Sequence, residues 1–362
     1  MGLADRDTRR DARGRTRDVG RDRIIDVRDP AEREPAPPPL ARERNTAGRD
    51  ADSPRELPRA GWKAVLARVS TEIKNDHVGL LAAGVAFKGL LALFPAIIAA
   101  ISIWGLVADP ATVQQQITRF TSALPEDTAR LIERQLTEVA QTGRGALSFA
   151  LAASILIALW SASGGLAGLI EGCNAAYDEI DERSFPIKRG LALGLTVGAI
   201  LFLLVALGLI AVLPALLGGF GLGEVGMLAI RIGQWPLLAA LAVVSLGFLY
   251  RVAPDRTAPR SRWVSIGAAV ATLLWLVGSG LFTVYVERFG SFGQTYGAFA
   301  GIIVLMLWLY LTAFVVLLGA EINAEVERQT LRDTTVGDRE APGKRGAHVA
   351  DTGPEAYPGR ES

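Results

Sequence analysis

Six long stretches of this sequence contain no charged residue, and the shortest of them holds 19 residues. A helix rises about 1.5 Å per residue, so about 20 apolar residues cross the hydrocarbon core of a bilayer. Helices and closed barrels alone satisfy their backbone groups there, and barrel strands would need shorter, alternating segments. The pattern therefore predicts an all-α integral membrane protein with six transmembrane helices. We place them at about 80–107, 146–170, 190–217, 227–250, 263–286 and 297–325.

Lys and Arg lie mainly in the connections on one side of the six predicted membrane helices. The approach to the first helix and the connections after the second and fourth are rich in Lys and Arg, whereas the third–fourth and fifth–sixth connections hold only Arg231 and Arg288. Residues 108–145 are the exception, with four Arg and five acidic residues. By the positive-inside rule we expect both termini in the cytoplasm. Arg outnumbers Lys by 33 to 5, which favours a GC-rich bacterial genome.

The flanks differ in character from the apolar stretches. Residues 1–59 mix 15 Arg with 13 acidic residues and hold no aromatic residue, which predicts a disordered cytoplasmic tail. A basic arm for anionic lipid headgroups is the alternative, and the nearly balanced charge disfavours it. Residues 329–362 are polar with scattered Pro and Gly, and we expect disorder there too. The six-helix membrane domain would then occupy residues 60–328.

Two further segments have helical periodicity outside the six spans. Residues 60–77 place Trp62, Val65, Leu66, Val69 and Ile73 on one side, which predicts an amphipathic helix along the inner interface. In the external loop 108–145, residues 125–139 repeat apolar side chains at helical spacing after a proline-led start. We expect that stripe to pack on the bundle.

Metal and cofactor chemistry has little support in this sequence. His77 and His348 are the only histidines, Cys173 is the only cysteine, and no HxH, HExxH or CxxC motif occurs. The one GxGxxG match, residues 221–226, joins two membrane helices and follows no strand, so we treat it as chance. The acidic run at 178–182 is better explained as a solvated loop than as a cation site. We therefore predict no catalytic residue, metal or cofactor.

Polar side chains near or within the spans are the candidate functional residues, because hydrocarbon makes them costly. The candidate polar path comprises Trp160, Asn174, Tyr177, Tyr296, Glu321 and Asn323. Glu321 either faces the bundle interior or marks the point where the last helix leaves the membrane. Lys88 either snorkels to the inner interface or meets a substrate, and snorkelling is favoured. The candidate kinks are Pro95, Pro214 and Pro236.

Small and aromatic residues supply the expected packing and anchoring. Glycine recurs every fourth position at 164, 168 and 172 and again at 190, 194 and 198. Such stripes let helices approach closely, within one chain or between the subunits of a homo-oligomer, and packing within the chain is favoured. Tyr250 and Trp263 fall near predicted span boundaries, where aromatic side chains anchor a helix to the interface.

Several ordered motifs resemble a family of bacterial inner-membrane proteins. They are residues 83–87 (AGVAF) with 92–95 (ALFP), 159–164 (LWSASG) with 174–177 (NAAY), 249–254 (LYRVAP) with Trp263, 295–297 (TYG), 307–309 (LWL) and 319–325 (GAEINAE). Together they resemble the YihY/BrkB family, formerly labelled ribonuclease BN, and residues 328–335 resemble its actinobacterial members. Lys88 and residues 292–293 depart from the family pattern. The resemblance implies six membrane helices, a plasma-membrane location and a role in envelope or lipid handling or virulence.

Three functions remain open from the sequence. The first is a transporter or permease for a lipid or small solute, with the polar residues converging between the helices. The second is a non-transporting envelope or scaffold protein. The third, a membrane ribonuclease, is least favoured because metal-dependent cleavage needs clustered ligands. The net charge of +1 indicates no nucleic-acid partner, so we expect the bilayer and a lipid or solute as partners.

Overall fold

A computed structural model describes residues 47–107, 144–212, 214, 217, 223–288 and 299–353, which belong to one compact unit spanning residues 46–362. Throughout these residues the secondary structure is helical apart from one isolated bridge between Pro259 and Thr335. The helices are α1 (Arg59–Asn75), α2 (Val78–Val107), α3 (Arg144–Ala176), α4 (Phe185–Leu207), α5 (Gly223–Val252), α6 (Ser261–Arg288), α7 (Ala300–Arg328) and the short α8 (His348–Asp351). The expectations for residues 1–46, for most of loop 108–145 and for residues 354–362 lie outside the described residues.

Five of these helices are long and apolar enough to cross a membrane. The qualifying segments are Ile155–Ala176, Phe185–Ile210, Val225–Val252, Ser261–Arg288 and Ala300–Arg328. Helix α2 is 30 residues long. The part of it whose side chains the structure describes, Val78–Ala92, is apolar but shorter than a membrane span. The all-helical membrane class is therefore confirmed, with five candidate spans, and the sixth remains a prediction.

Large apolar side chains point away from the protein along these helices. Leu156, Leu203, Val244, Leu273 and Leu281 are all exposed. In water such a surface would be a binding or aggregation site, whereas in a bilayer the lipid tails cover it. The exposed faces therefore agree with helices that use lipid as their solvent.

The prolines are accommodated within helices. Pro95 and Pro236 lie inside α2 and α5, which continue through them. A π-helical turn, Gly208–Val212, follows α4 immediately before Pro214. Proline lacks an N–H group and crowds the carbonyl four residues earlier, and a wider turn relieves that conflict.

Glycines bring two pairs of helices into close contact. An added Cβ at Gly168 would lie 3.0 Å from Val85 of α2, and one at Gly172 would lie 2.5 Å from Leu317 of α7. At the crossing of α6 and α7, a Cβ on Gly319 would lie 2.8 Å from Ala271. These approaches confirm close packing for part of the α3 stripe.

The second glycine stripe makes no close contact with the part of the chain that the structure describes. Among those residues, nothing lies within 4 Å of where a Cβ would stand on Gly190, Gly194 or Gly198 of α4. The described packing of α4 instead uses the face that carries Ala192 and Leu195, which differs from our expectation for this stripe.

One end of the bundle is covered by a layer that we call the cap, made of residues 47–77, 177–184, 253–260 and 329–353. The amphipathic helix α1 belongs to it, as its periodicity predicts. Val65 and Val69 are buried against Trp263, Ile322 and Val326. Leu66, expected on the same apolar side, is instead 57% exposed.

The polar segment after Arg328 is ordered through residue 353, contrary to our expectation of disorder. Arg345 is buried, and its guanidinium donates to the carbonyl oxygens of Ala350 at 2.6 Å and Leu331 at 2.9 Å. Backbone bonds join the segment to the 253–260 connection: Arg260 N–H donates to Thr334 O at 2.9 Å and Val336 N–H to Ala258 O at 3.0 Å. Buried polar partners, rather than apolar area, hold this segment.

Candidate functional site

Glu321 is a buried acidic residue whose carboxylate is not paired with a cation or a hydrogen-bond donor among the described residues. It lies seven residues before the end of α7, roughly 10 Å along the helix axis. Its side chain is 1% exposed, and neither carboxylate oxygen has a hydrogen-bond partner among the described residues. An ionised carboxylate in that environment is expensive unless it is paired, so this position favours bound protons, ions or polar ligands.

Asp76 faces the Glu321 carboxyl from the two-residue connection between α1 and α2. It is partly buried, and burial raises the pKa of Asp76 to about 6, with Glu72 and Asp178 adding to the rise. The next residue, His77, has a φ of 51°, in the left-handed region that non-glycine residues rarely occupy. Helix α1 therefore meets the first apolar helix at a sharply turned joint.

The neighbouring acids are neutralised by arginines that do not pair with Glu321. Glu325, one turn further along α7, forms ion pairs with Arg68 of α1 and with Arg328, the latter at 3.0 Å. Arg328 also pairs with Asp178 after α3. The arginines are thus committed to Glu325 and Asp178, which leaves Asp76 and Glu321 facing each other.

A second buried ion pair closes the cap on the other side. Arg256 and Glu327 are 0% and 1% exposed, and their two hydrogen bonds measure 3.1 and 2.5 Å. Thr334 donates to the same carboxylate at 2.5 Å, and the Arg256 guanidinium lies 5.0 Å from the centre of the Tyr177 ring. Burial alone would lower the pKa of Arg256, but Glu327 raises it above its usual range, so the pair stays charged.

Asn323 and Asn174 have structural partners. Asn323 accepts a hydrogen bond from Gly267 N–H at 2.7 Å and donates to Val264 O at 3.1 Å, which ties α7 to α6. Asn174 donates to Ile170 O at 3.0 Å and accepts from Asp255 N–H at 2.7 Å, which ties the end of α3 to the cap. Both amides hold helices together and have little capacity left for a ligand.

The predicted polar path assembles only in part. Asn174, Tyr177, Glu321 and Asn323 lie at the cap end, where Tyr177 is beside Asn323, and Glu321 is near Cys173. Trp160 lies apart, because it precedes Asn174 by roughly 21 Å of helix. It is 52% exposed and stacked under the Arg189 guanidinium at 3.9 Å.

The other two predicted positions do not join this group. Tyr296 lies outside the described residues. Lys88 is exposed on α2, with its amine near Gly168 of α3. Snorkelling of this side chain to the inner interface stays a prediction.

The acidic run after α3 is engaged by the cap, contrary to the solvated loop that we expected. Asp181 binds Arg183 at 2.9 Å, and these contacts outweigh burial and hold the pKa of Asp181 below its usual range. Glu179 accepts a hydrogen bond from His348 N–H at 2.7 Å. Among the residues that the structure describes, no three His, Cys, Asp or Glu side chains are grouped so as to hold a metal ion.

Sequence reasoning missed Asp76, Arg256 and Glu327 as members of the buried network, because charged residues outside the apolar stretches look solvated. Tyr250 and Trp263 lie two residues from the ends of α5 and α6, as expected, but their side chains are buried. Tyr250 donates a hydrogen bond to Val316 O at 2.7 Å.

The chain is similar to several bacterial proteins. The family described as "Virulence factor BrkB" matches residues 69–344. A Bacillus subtilis protein named "Putative ribonuclease-like protein YfkH" is 33% identical over 255 residues, which are 68% of this chain and 89% of that protein. A UPF0761 membrane protein of Tolumonas auensis is 40% identical over 28% of this chain and 33% of its own length. The UPF0761 membrane protein YihY of Salmonella arizonae is 41% identical over 24% of this chain and 29% of its own. No solved structure matches.

Proposed function

The chain belongs to the virulence factor BrkB family, and we propose that it is a multi-pass permease of the bacterial plasma membrane that moves a lipid or small solute. The observation that carries this proposal is Glu321, a buried carboxyl in a candidate membrane-spanning helix, with no hydrogen-bond partner among the residues that the structure describes. Ionisable groups at such depth are costly and usually belong to substrate or proton pathways. A purely structural residue at this position would have its polar atoms hydrogen-bonded, as the amide oxygen and nitrogen of Asn323 are.

The proposal includes six membrane spans and a cap on the cytoplasmic side. Helix α2 supplies the sixth span, since it runs for 30 residues. The cap contains Arg68, Arg183, Arg256 and Arg328, and positive residues near span ends favour the cytoplasm. Because both described flanks join the cap, both termini are cytoplasmic.

Transport is tested by reconstituting the full chain in liposomes that contain a fluorescent phospholipid. A membrane-impermeant quencher then reports the fraction of label that crosses the bilayer. We expect the wild type to exchange label faster than protein-free liposomes. Glu321→Gln should slow the exchange about tenfold or more, which corresponds to about 1.4 kcal/mol. Glu171→Gln is the matched control, because Glu171 is an exposed carboxyl at the same end of the bundle.

The second candidate, a scaffold, is favoured by the two asparagines. Asn174 and Asn323 were expected to line a path, and both instead bridge helices or loops. Exchange equal to that of protein-free liposomes, for the phospholipid and for a panel of small anions, amino acids and sugars, would overturn the permease proposal and favour the scaffold.

We also infer that the chain is not a ribonuclease, although one relative has a ribonuclease-like name. The carboxylates that such a site would need, Asp178 and Asp181, are held by Arg328 and Arg183. Arginine-paired carboxylates are poor ligands for a catalytic cation, since the cation would have to displace the pair. RNA cleavage by the purified chain with Mg²⁺ or Mn²⁺, lost in Asp178→Asn, would contradict this.

Topology has its own measurement. Arg339 is 62% exposed in the ordered segment after α7, so Arg339→Cys in a Cys173→Ala background places one accessible thiol on the cap. We expect an impermeant maleimide to label it in inverted inner-membrane vesicles and not in intact spheroplasts. Labelling in spheroplasts would place the cap outside and contradict the proposed orientation.

A further inference from the structure

We propose that Asp76 and Glu321 form one proton-binding site, in which a single proton is shared between the two carboxyls at the joint of α1 and α2. This inference deepens the proposed function and rests on it for one step only, the coupling of the proton to transport. Proton binding itself is a property of the folded chain and can be measured without transport.

The first support is the state of Glu321. It is more than nine-tenths buried, and both oxygens lack partners among the described residues, so an ionised form would have no compensation. A second carboxyl, that of Asp76, faces it from the joint between α1 and α2. Two facing carboxyls cannot both ionise cheaply, and a proton between them converts repulsion into a hydrogen bond.

The second support is the set of charges around the pair. The groups that face it are Glu72 of α1, Cys173 of α3, Asp178 after α3, and Glu325 and Arg328 of α7. Glu325 and Asp178 share the Arg328 guanidinium, and Glu325 also binds Arg68. Glu72 remains as an added negative charge, so the surroundings favour uptake of a proton over ionisation of both acids.

The third support is access. Asp76 is partly exposed at the cap, whereas Glu321 is sealed behind it. A hydronium ion at the cap surface can therefore transfer its proton to the Asp76 carboxylate, leaving water, and the new O–H group can then donate to Glu321. The pair takes up its protons in two steps, and burial raises the pKa of the more exposed Asp76 to about 6, so at the pH of the cell interior one proton is shared by the two carboxyls.

The shared proton affects how closely α1 packs on α7, because Asp76 lies in the connection between α1 and α2. Asp76 and His77 are the only residues between α1 and α2, and His77 is held in the left-handed region with its Nδ1 2.7 Å from Asn75 O. Loss of the shared proton places two negative charges across this strained turn. The repulsion then separates α1, and with it Arg68, from α7. This is how proton occupancy would be coupled to opening of the cap.

Proton uptake by the purified full chain in lipid nanodiscs tests the site. A soluble indicator dye counts protons taken up between about pH 11 and about pH 5, a range that covers both steps of the pair, and infrared spectra record the carbonyl stretch of protonated carboxyls. We expect Glu321→Gln to remove one proton and its carbonyl band. Asp76→Asn should shift the midpoint of the band by about one pH unit or more, a tenfold change in proton affinity.

Control and contrary outcomes separate this site from the transport proposal. Glu171→Gln should leave the midpoint and the carbonyl band unchanged, and slow labelling of buried Cys173 verifies that each variant is folded. Equal uptake by wild type and Glu321→Gln would overturn the proton site, as would a midpoint that Na⁺ displaces. Proton uptake as expected with no movement of any probe would overturn the permease and leave the proton site standing.

Discussion

Gly267→Ala should separate α6 from α7 and destabilise the bundle. A Cβ at this position would lie 2.5 Å from Asn323 Cγ and closer still to the carbonyl oxygen of Gly319. Real Cβ contacts stay beyond 3.0 Å, so the helices must part by at least about 0.5 Å. The facing atom at Gly319 is backbone, and it cannot rotate away as a side-chain end could.

The cost follows from two contributions. Overpacking of a close interface costs about 1–3 kcal/mol. The shift also lengthens two hydrogen bonds of Asn323, which accepts from Gly267 N–H and donates to Val264 O. Hydrogen bonds between membrane helices average about 0.6 kcal/mol each. We expect a loss of about 2–4 kcal/mol in the free energy of unfolding, or a fall of about 5 °C or more in the melting midpoint.

The chain carries its own reporter for this measurement. Cys173 is the only cysteine in the sequence and is fully buried, so a thiol-reactive fluorogenic dye reports its exposure during heating. Gly194→Ala is the matched control, because nothing lies within 4 Å of a Cβ there, and its midpoint should stay within about 2 °C. Equal midpoints for the two alanine variants would refute the close crossing of α6 and α7.

Two further changes probe the cap. Glu327→Gln leaves the fully buried Arg256 guanidinium without its countercharge, so we expect the free energy of unfolding to fall by about 3–5 kcal/mol. The Arg256→Met, Glu327→Leu double variant should recover most of that stability, because it removes both buried charges. A double variant as unstable as Glu327→Gln would contradict this expectation. The second change is pH: because the folded-state pKa of Asp76 is about 6 against an ordinary 3.8, its contribution to stability is fully present below the ordinary value and is lost as pH rises through 6. Lowering the pH from about 7 to about 5 should therefore stabilise the wild type by about 1 kcal/mol or less, since water screens a half-exposed carboxyl. This pH-dependent stabilisation should vanish in Asp76→Asn. A wild-type melting midpoint that falls as the pH is lowered would contradict the raised pKa of Asp76.

The sequence was a reliable guide to the helices and a poor one to the cap. Uncharged stretches locate membrane helices because hydrocarbon excludes charge, so α2, α5, α6 and α7 begin and end within a few residues of their expected bounds. Helix α3 runs on to Ala176, past the expected end at residue 170, because Glu171 and Asn174 lie at the cap, where polar groups find water or partners.

The cap escaped prediction because its contacts are long-range and ionic. Gln329 donates to Ala47 O at 2.9 Å across 282 residues of sequence, and no local periodicity encodes such a contact. Arg256 and Glu327 likewise look like ordinary solvated charges until the fold brings them together. Of the candidate site, Glu321 was recognisable from its depth in an apolar helix, whereas Asp76 could not be identified without the turn that aims it inward.

The cap joins segments from near both ends of the compact unit, and this fixes when it can form. Leu331 N–H donates to Arg49 O at 2.8 Å, and Thr330 donates to Ala51 O at 2.7 Å. During synthesis, the N-terminal segment emerges long before residues 329–353 leave the ribosome. Until then Arg68 lacks Glu325, and Arg256 lacks Glu327. The cap can therefore close only after the last membrane helix has been made, and a chain that stops before Glu325 would lack the partners of Arg68 and Arg256.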